Sequence, residues 1–346
     1  MPSRIAVRSY CDADRSQWDA FVQRHAAGTF FHLTRWSQVV EDTFGYRPHY
    51  LLATEGSRIC GVLPLFSIEN FMVGKCLIST PLAVYGGICA DSPLAHRHLL
   101  RAVKSLARSM HVDYLELRNR VADPCSELRT NPLYVTFTTP LLSDPEAQLA
   151  RLPRDTRYMI RKSGRQGLEP RWGWENLDSF YRIYASSLHH LGTPVFPRRL
   201  FENLRDVFGD QVSLLTVFRG REALAGVVYF MFRDVLLPYY GGSLLKARKY
   251  APNNFMYWEL MRFAAQQGYR EFDFGRSKRQ SGSYLFKKQW SMQEEALGYQ
   301  SFLVRRKSPP DFSPANHKFK LAASVWRRLP LGLTKWIGPH VVRLFP

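Results

Sequence analysis

The sequence predicts an α+β fold of two tandem domains followed by a basic tail, and three observations support this prediction. A chain of 346 residues is long enough for two ordinary domains. The tripeptide Tyr85-Gly86-Gly87 recurs as Tyr240-Gly241-Gly242. Each copy is followed by a loop, a helix-like segment and, about 30 residues after the tyrosine, a short strand. A supersecondary unit that recurs at this spacing predicts one domain fold used twice.

The first predicted domain spans residues 1–145. Apolar residues at helix spacing predict helices within 15–45 and over Ala95–Ser109. Strands are predicted at Tyr50–Thr54, Ile59–Ile68, Cys76–Ser79 and Asp113–Arg118. Residues 144–150 form a short predicted helix that leads into the next domain.

The second predicted domain spans residues 146–307 and repeats the plan. Helices are predicted over Leu177–His190, Pro197–Phe208 and Asn254–Gln267, the last of them ended by Gly268. Antiparallel strands are predicted at Val212–Phe218, Ala225–Arg233 and Val235–Tyr240, and further strands at Phe272–Phe274 and Ala296–Val304. A helix between two central strands of each copy predicts two tandem GNAT-like domains with mixed central sheets.

Charge and composition bound the function. The net charge of +19 indicates an anionic partner, for which nucleic acid, phosphorylated small molecules and acidic lipid all qualify. The alternative is that the charge only keeps the protein soluble. The five cysteines form no CxxC pair, so we expect neither a zinc site nor a disulfide framework, and no metal. A polar N-terminus and the lack of an 18-residue apolar run predict a cytoplasmic protein, peripheral at the inner face of the membrane if it binds one.

The tail, residues 308–346, differs from both domains. Phe319, Ala322, Trp326 and Leu329 form one predicted stripe, with lysines and arginines beside it. Such a basic segment with tryptophans suits an anionic membrane surface, and we predict contact through residues 316–346. The alternative is that the segment packs back onto its own domain. Pro330 and Pro339 are expected to break it into short pieces.

A basic run precedes the second domain's core. Spacings of three and four put Arg154, Arg157, Arg161 and Arg165 on one helical face, with Lys162 beside it. Like charges stacked in this way repel one another, which indicates an anionic ligand such as a phosphate. We therefore predict that Arg157, Arg161 and Lys162 bind substrate. The alternative is a solvated surface.

The second candidate region lies between Tyr239 and Trp290 and contains polar and aromatic residues that the first copy lacks. Asn253 or Asn254 is placed to cap the helix that follows. The predicted substrate-binding residues here are Asn254, Tyr257, Asp273, Arg276, Lys278 and Phe286. For Tyr257 an ordinary core position is the alternative. The second domain is thus the predicted reaction centre.

Several familiar motifs are missing. The sequence contains no GxSxG, GxxxxGK[ST] or HExxH motif. GNAT enzymes that use acetyl-CoA carry a glycine-bearing loop whose amides hold the pyrophosphate. The corresponding segment, residues 244–252, has no glycine and is poorly built for that contact.

These features together resemble the FemAB family of aminoacyltransferases over roughly residues 15–305. The resemblance rests on the Trp36 helix, Arg157-to-Gly167, Ala251-Pro252-Asn253, Asp273-Phe274-Gly275 and Phe286-Lys287. Gly338-Pro339 in the tail is similar to the branch associated with exosortase and exopolysaccharide loci. The resemblance implies transfer of an amino acid from aminoacyl-tRNA, without a bound cofactor, to an amine of a nucleotide- or lipid-linked precursor. It also implies that Trp36 binds substrate. The coiled-coil arm of some members is missing.

The mechanism that follows is attack of an acceptor amine on an activated carbonyl. Lys287 is predicted to stabilise the oxyanion, and Tyr240 or Tyr284 to pass a proton. Two other functions stay open. One is an acyl-CoA-dependent N-acyltransferase of the GNAT type. The other is a non-catalytic protein that binds nucleic acid, another anion or a membrane surface.

Overall fold

The computed structural model describes residues 5–308 and 317–346, with side chains in the second range from residue 320. The β-strands are β1 (Ile5–Ser9), β2 (Arg47–Pro48), β3 (Leu51–Glu55), β4 (Arg58–Leu63), β5 (Phe66–Asn70), β6 (Gly74–Ile78), β7 (Cys89–Ala90), β8 (Tyr114–Asn119), β9 (Arg129–Thr130), β10 (Tyr134–Pro140), β11 (Leu168–Trp172), β12 (Val212–Arg219), β13 (Glu222–Phe232), β14 (Val235–Ser243), β15 (Glu271–Asp273), β16 (Ser277–Lys278), β17 (Gln293–Ala296) and β18 (Gly298–Leu303). The α-helices are α1 (Arg15–Arg24), α2 (Arg35–Phe44), α3 (Pro93–Ser109), α4 (Pro145–Arg151), α5 (Arg154–Gly164), α6 (Leu177–Leu191), α7 (Arg198–Phe208), α8 (Pro252–Gln266), α9 (Gly282–Lys288), α10 (His317–Arg328) and α11 (Leu331–Val342).

The chain folds into two compact units whose segments alternate along the sequence. Unit 1 contains the described residues of Met1–Tyr134, Ala296–Asp311 and Arg343–Pro346. Unit 2 contains those of Val135–Glu295 and Phe312–Val342. The units therefore differ from the contiguous ranges 1–145 and 146–307. The reason is strand pairing, because β18, expected as the last strand of the second domain, pairs with β8 of unit 1.

Unit 1 has two sheets, with strand orders β1-β3-β4-β7 and β2-β5-β6-β8-β18-β9. Strands β6 and β8 run parallel, and α3 forms the crossover between them. The helix starts cleanly, because the Ser92 hydroxyl accepts the Ala95 N–H and Pro93 occupies the first turn. Its apolar face, which includes Leu99, Val103 and Ala107, is buried in the core of this unit.

Unit 2 is built on one sheet of order β11-β12-β13-β14-β15-β10-β16, with β17 paired to β10. Strands β11 to β14 are antiparallel, as the sequence predicted for β12 to β14. Strands β14 and β15 run parallel and are joined by α8, which buries Met256, Leu260 and Ala264 in the core. Each unit thus contains a parallel strand pair with a helical crossover, which confirms the predicted repeat of a mixed α+β unit.

Strands β14 and β15 pair over a short distance only. Their ladder consists of Val235 opposite Glu271 and Leu236 opposite Phe272. Beyond these pairs β14 runs on to Ser243, whereas β15 ends at Asp273 and the chain turns away at Gly275, which has a φ of +66°. The turn after β15 is therefore a structural feature that side chains must hold in place.

The two tripeptides that revealed the repeat occupy different positions. Tyr85-Gly86-Gly87 lies in the loop between β6 and β7, whereas Tyr240-Gly241-Gly242 lies inside β14. Gly242 has a packing role, because a Cβ there would stand 2.8 Å from the Cβ of Ser187 on α6. The glycine therefore lets α6 approach β14 closely.

The tail folds as α10 and α11, and both helices contact α6 of unit 2. Pro330 separates the two helices, as predicted. Pro339 lies inside α11 rather than breaking it, which corrects the expectation for that residue. Within the described ranges, none of the helices combines the length and the apolar character that crossing a bilayer requires.

Candidate functional site

Unit 2 contains a cavity of about 580 Å³, a volume in the range of small-molecule sites. It lies where the first turns of α5 and α8 meet the end of α9. Its lining residues are Pro153, Asp155, Thr156, Met159, Asn254, Phe286, Lys288 and Gln289. The Thr156 hydroxyl donates to the backbone carbonyl of Gln289 at 2.6 Å, and this bond ties α5 to the chain just after α9.

Helices α5 and α9, which border the cavity, also expose basic and apolar side chains to solvent. Helix α5 exposes Arg154 and Arg161 to solvent, and Arg165 follows at its end. Tyr158 on the same helix is 63% exposed and Leu285 on α9 is 56% exposed. Inside, Lys288 and Asp155 are the charged lining residues. The exposed arginines of α5 favour an anionic ligand, and the mixed polar and apolar lining of the cavity admits a ligand that has an organic part.

Arg157, on the same helix, is half-buried and contacts the backbone. Its guanidinium Nη1 donates to the carbonyl oxygens of Ala150 and Leu152, both at 2.8 Å. These carbonyls end α4, so the arginine satisfies acceptors that the helix leaves open. Nη1 of Arg157 is therefore occupied by the backbone, which indicates a structural role, and its predicted contact with substrate stays a prediction. Lys162 is half-buried and Arg161 is exposed on the same helix.

The segment before α8 uses several of its amides in internal hydrogen bonds. Residues Leu245–Tyr250 form a 3-10 helix. The N–H groups of Leu244, Ala247 and Ala251 donate to the carbonyls of Leu224, Leu244 and Arg248, respectively. The first helical residue, Pro252, has no N–H at all. This geometry agrees with the expectation drawn from the missing glycine.

The two asparagines at the start of α8 differ from their predicted role. The helix begins at Pro252, and no side chain makes a capping hydrogen bond at its N-terminus. Neither Asn253 nor Asn254 is therefore a cap. Asn254 instead lines the cavity, as its predicted place in the substrate site requires.

Lys287 is buried and holds the turn that follows β15. Its Nζ donates to the carbonyl oxygens of Phe274, Gly275 and Arg276 at 2.6, 2.9 and 3.2 Å. Burial lowers the pKa of this lysine to about 7, against the opposing effect of Asp273. In its protonated form the amine has three N–H donors, which matches the three carbonyls. In this geometry Lys287 is a positioning residue for the turn, and its predicted role at the oxyanion stays a prediction.

Asp273 supports the same turn from the other side. Its Oδ1 accepts the Gly275 N–H at 2.7 Å and the Thr136 hydroxyl at 3.0 Å. The side chain is only 2% exposed, so the predicted contact with substrate is corrected to a structural one. Arg276 leaves the turn half-buried, and Lys278 lies half-buried in β16, where both remain predicted substrate contacts.

Two of the predicted aromatic residues are core residues. Tyr240 is buried among Phe196, Phe201 and Tyr184, and burial raises its pKa well above 10. Its predicted role in proton transfer is corrected for that reason. Trp36 in unit 1 is fully buried against Phe30 and Phe31, so the predicted substrate contact is corrected to packing.

Two further predicted aromatic residues, Tyr257 and Tyr284, belong to α8 and α9, the helices that border the cavity. Tyr257 packs on Phe274, Phe286 and Trp290, and burial raises its pKa to about 12. It supports the cavity residue Phe286 without lining the cavity. Tyr284 is half-buried, and its hydroxyl donates to Glu294 at 2.9 Å.

The structure thus brings together Asn254 and Phe286, with Arg161 on the adjoining helix. The sequence analysis missed Asp155, Thr156, Met159, Lys288 and Gln289, which also line the cavity. The spacing of Thr156 and Met159 could have indicated that they belong together, since residues three apart share one face of a helix. Nothing in the sequence shows that this face meets the end of α9.

Comparisons with known proteins agree with this fold. Residues 150–288 match the family described as acetyltransferase (GNAT) domain. No curated protein matches the chain.

Among solved structures, FemX is similar with a TM-score of 0.68 at 15% identity, covering 87% of this chain and 98% of FemX. The C-terminal domain of a candidate lysylphosphatidylglycerol synthetase from Agrobacterium fabrum has a TM-score of 0.57 at 13% identity. The match covers 90% of this chain and 94% of that domain. A tandem GNAT protein from the clavulanic acid biosynthesis pathway has a TM-score of 0.56 at 9% identity. The match covers 88% of this chain and 100% of that protein. The chain therefore has the GNAT fold of these solved structures, and its residues 150–288 match the acetyltransferase (GNAT) domain family.

Proposed function

We propose that the protein transfers an aminoacyl group from aminoacyl-tRNA to an amine of an anionic cell-envelope or exopolysaccharide precursor. The observation that carries this proposal is the start of α8. The amides of Leu244, Ala247 and Ala251 are bonded within the protein, and Pro252 has none to offer. A GNAT-fold site built in this way is poorly suited to the pyrophosphate of coenzyme A. A donor that is activated as an ester on tRNA has no such pyrophosphate.

The chemistry is aminolysis of an ester. The acceptor nitrogen attacks the aminoacyl carbonyl carbon and a C–N bond forms. The C–O bond to the terminal ribose then breaks, and the ribose hydroxyl leaves with a proton that comes from the attacking amine. No redox partner is needed. Holding the two reactants in one cavity supplies much of the rate, because it replaces a bimolecular encounter with a pre-aligned one.

The residues divide between binding and positioning. Asn254, Phe286 and Lys288 line the cavity that receives the reacting ends. Arg161, together with Lys162 and Arg276, binds phosphates of tRNA or of the acceptor. Lys287 and Asp273 keep the turn that carries Arg276 in place. Of the predicted proton carriers Tyr284 remains, because its hydroxyl already donates to a carboxylate, that of Glu294.

An acyl-CoA-dependent N-acyltransferase is the second candidate function. The match of residues 150–288 to the acetyltransferase (GNAT) domain family favours it. It requires a pyrophosphate contact other than the amides before α8. Basic side chains of the 3-10 helix, such as Lys246 or Arg248, would have to take over that contact.

The deciding experiment follows label from two donors into envelope precursors extracted from the source cells. One reaction contains a mixed pool of labelled aminoacyl-tRNA, and the other contains labelled acetyl-CoA. A third contains the tRNA pool after ribonuclease treatment and serves as the control. Label from the intact pool alone supports the proposal and identifies the amino acid. Label from acetyl-CoA alone establishes the second candidate, and no transfer from either donor refutes both.

A further inference from the structure

The tail exposes an apolar surface that is surrounded by positive charge. Leu321, Val325, Leu331, Leu333 and Trp336 are between 36% and 72% exposed, and all lie on α10 or α11. We propose that this surface, called the tail face below, docks on an anionic lipid bilayer. The proposal is independent of the transfer reaction, since it concerns where the protein sits and not what it transfers.

The opposite faces of the two helices are fixed to unit 2. On α10, the Ala323 carbonyl approaches Gly192 so closely that a Cβ on the glycine would lie 2.6 Å from it. Just after α10, the Leu329 carbonyl accepts a hydrogen bond from Nε2 of His189 at 2.9 Å. On α11, Gly338 is buried against Val195. The helices are therefore held in one orientation, and that orientation turns the tail face outward.

The exposed residues follow the geometry of helices that lie along a surface. Leu321 and Val325 are four residues apart, so they stand side by side on α10. Trp336 of α11 is 72% exposed, while Thr334 and Gly338 on either side of it are buried. A tryptophan that is anchored on one helix and open to solvent has the amphipathic character found at membrane interfaces.

The charges around the tail face select an anionic surface. Residues 312–346 contain six lysines and arginines and neither aspartate nor glutamate. Lys320, Arg327, Arg328 and Lys335 are exposed on the two helices. Protein interfaces exclude charge from their centres, whereas a bilayer with acidic headgroups accepts an apolar face flanked by basic side chains. The absence of acidic residues from this part of the sequence removes the repulsion that such a bilayer would otherwise exert.

The test is sedimentation of the full chain with vesicles in the absence of any substrate. One set contains phosphatidylcholine only, and the other contains equal parts of phosphatidylcholine and phosphatidylglycerol. We expect binding to the anionic vesicles that weakens as salt is raised. The triple variant L321S/V325S/W336S should bind at least about tenfold more weakly. The variant R327Q/R328Q should lose about fivefold in affinity per charge removed.

Matched controls come from unit 1. Phe71 is 83% exposed, more than any apolar residue of the tail face, and Phe71→Ser should leave vesicle binding unchanged. Arg97→Gln/Arg101→Gln removes two exposed charges from α3 and should have a much smaller effect than R327Q/R328Q. Thermal unfolding of each variant checks that it is folded.

Three results would overturn the proposal. The first is a wild-type chain that stays in the supernatant with anionic vesicles. The second is a set of tail variants that sediment as the wild type does. The third is an oligomer, seen by light scattering, that the tail substitutions dissociate while vesicles have no effect, because the tail face would then be a protein interface. Each result leaves the label-transfer experiment intact, so the two proposals fail separately.

Discussion

The ammonium nitrogen of Lys287 lies 2.6 Å from the carbonyl oxygen of Phe274, inside unit 2. Two further carbonyls of the same turn, those of Gly275 and Arg276, complete its hydrogen bonds. The Phe286-Lys287 motif predicted this lysine to be part of the reaction centre, whereas its side chain is hydrogen-bonded to the backbone. We expect Lys287 to affect activity through the position of Arg276, which is half-buried in this turn.

Lys287→Met should lower the free energy of unfolding by about 2–4 kcal/mol, because it leaves three carbonyls without their donor. The pH dependence is more specific. Folding lowers the pKa of Lys287 from 10.5 to about 7. At a pH between these two pKa values, Lys287 is protonated in the unfolded chain and deprotonated in the folded chain. The wild-type free energy of unfolding should therefore rise with pH across this window.

Denaturant unfolding at pH 7.5 and 9.5 measures this effect. Between these two pH values the free energy of unfolding should rise by about 2 kcal/mol more in the wild type than in Lys287→Met. The contributions of other titrating groups are the same in both proteins and cancel in this difference. Lys287→Arg keeps the charge but cannot place three donors from one nitrogen, so it should behave like the methionine variant. Equal rises in the wild type and the variants would show that Lys287 titrates normally.

Tyr240→Phe should retain full transfer activity and be at least as stable as the wild type. The Tyr240 hydroxyl is buried and has no hydrogen-bond partner among the described residues. Removing an unsatisfied buried hydroxyl is expected to stabilise the fold by about 1 kcal/mol. Turnover and thermal unfolding of the purified variant check both statements. A tenfold loss of turnover in a stable Tyr240→Phe variant would restore the tyrosine to the mechanism.

Sequence patterns anticipated the parts of the fold that depend on local periodicity. Helix α8 was expected to end before Gly268, and it ends at Gln266. The antiparallel run from β12 to β14 follows from three apolar stretches separated by short turns. Pairing between distant segments was not readable. Strand β18 lies within the predicted second domain but pairs with β8, about 180 residues earlier in the chain.

The site was harder to predict than the fold, for a physical reason. Asn254 was predicted from its place at a helix start, and Phe286 from the Phe286-Lys287 pair that resembles the FemAB family. The direction in which each side chain points could not be predicted from such local patterns. Tyr240 and Gly241 are neighbours in one strand, so one of them must face the aromatic core, and nothing local decides which. Lys287 follows Phe286 on a seven-residue helix, and the two side chains necessarily leave it in different directions.

Two arginines on α5 should separate binding from stability. Arg161→Gln removes an exposed charge, so the free energy of unfolding should change by less than about 0.5 kcal/mol. Its effect should appear as a KM for the anionic substrate that rises about tenfold. Arg157→Gln removes the donor to Ala150 and Leu152 and should reduce stability by about 1–3 kcal/mol with little change in KM. The reverse assignment of KM and stability effects would mean that Arg157 is the substrate ligand.

The adjacent asparagines of α8 provide the sharpest test of the cavity. Asn254 lines it and Asn253 does not, while both are half-buried and neither caps the helix. Asn254→Ala should therefore lower kcat/KM about tenfold, and Asn253→Ala should leave it unchanged, with nearly equal unfolding temperatures for the two. Asn254→Asp keeps the shape and adds a negative charge next to Asp155. Because an anionic substrate would be repelled, the aspartate variant should be less active than the alanine variant, and added salt should narrow the gap between them. If both Asn253 and Asn254 variants transferred label at the wild-type rate, the reacting ends would have to meet outside this cavity.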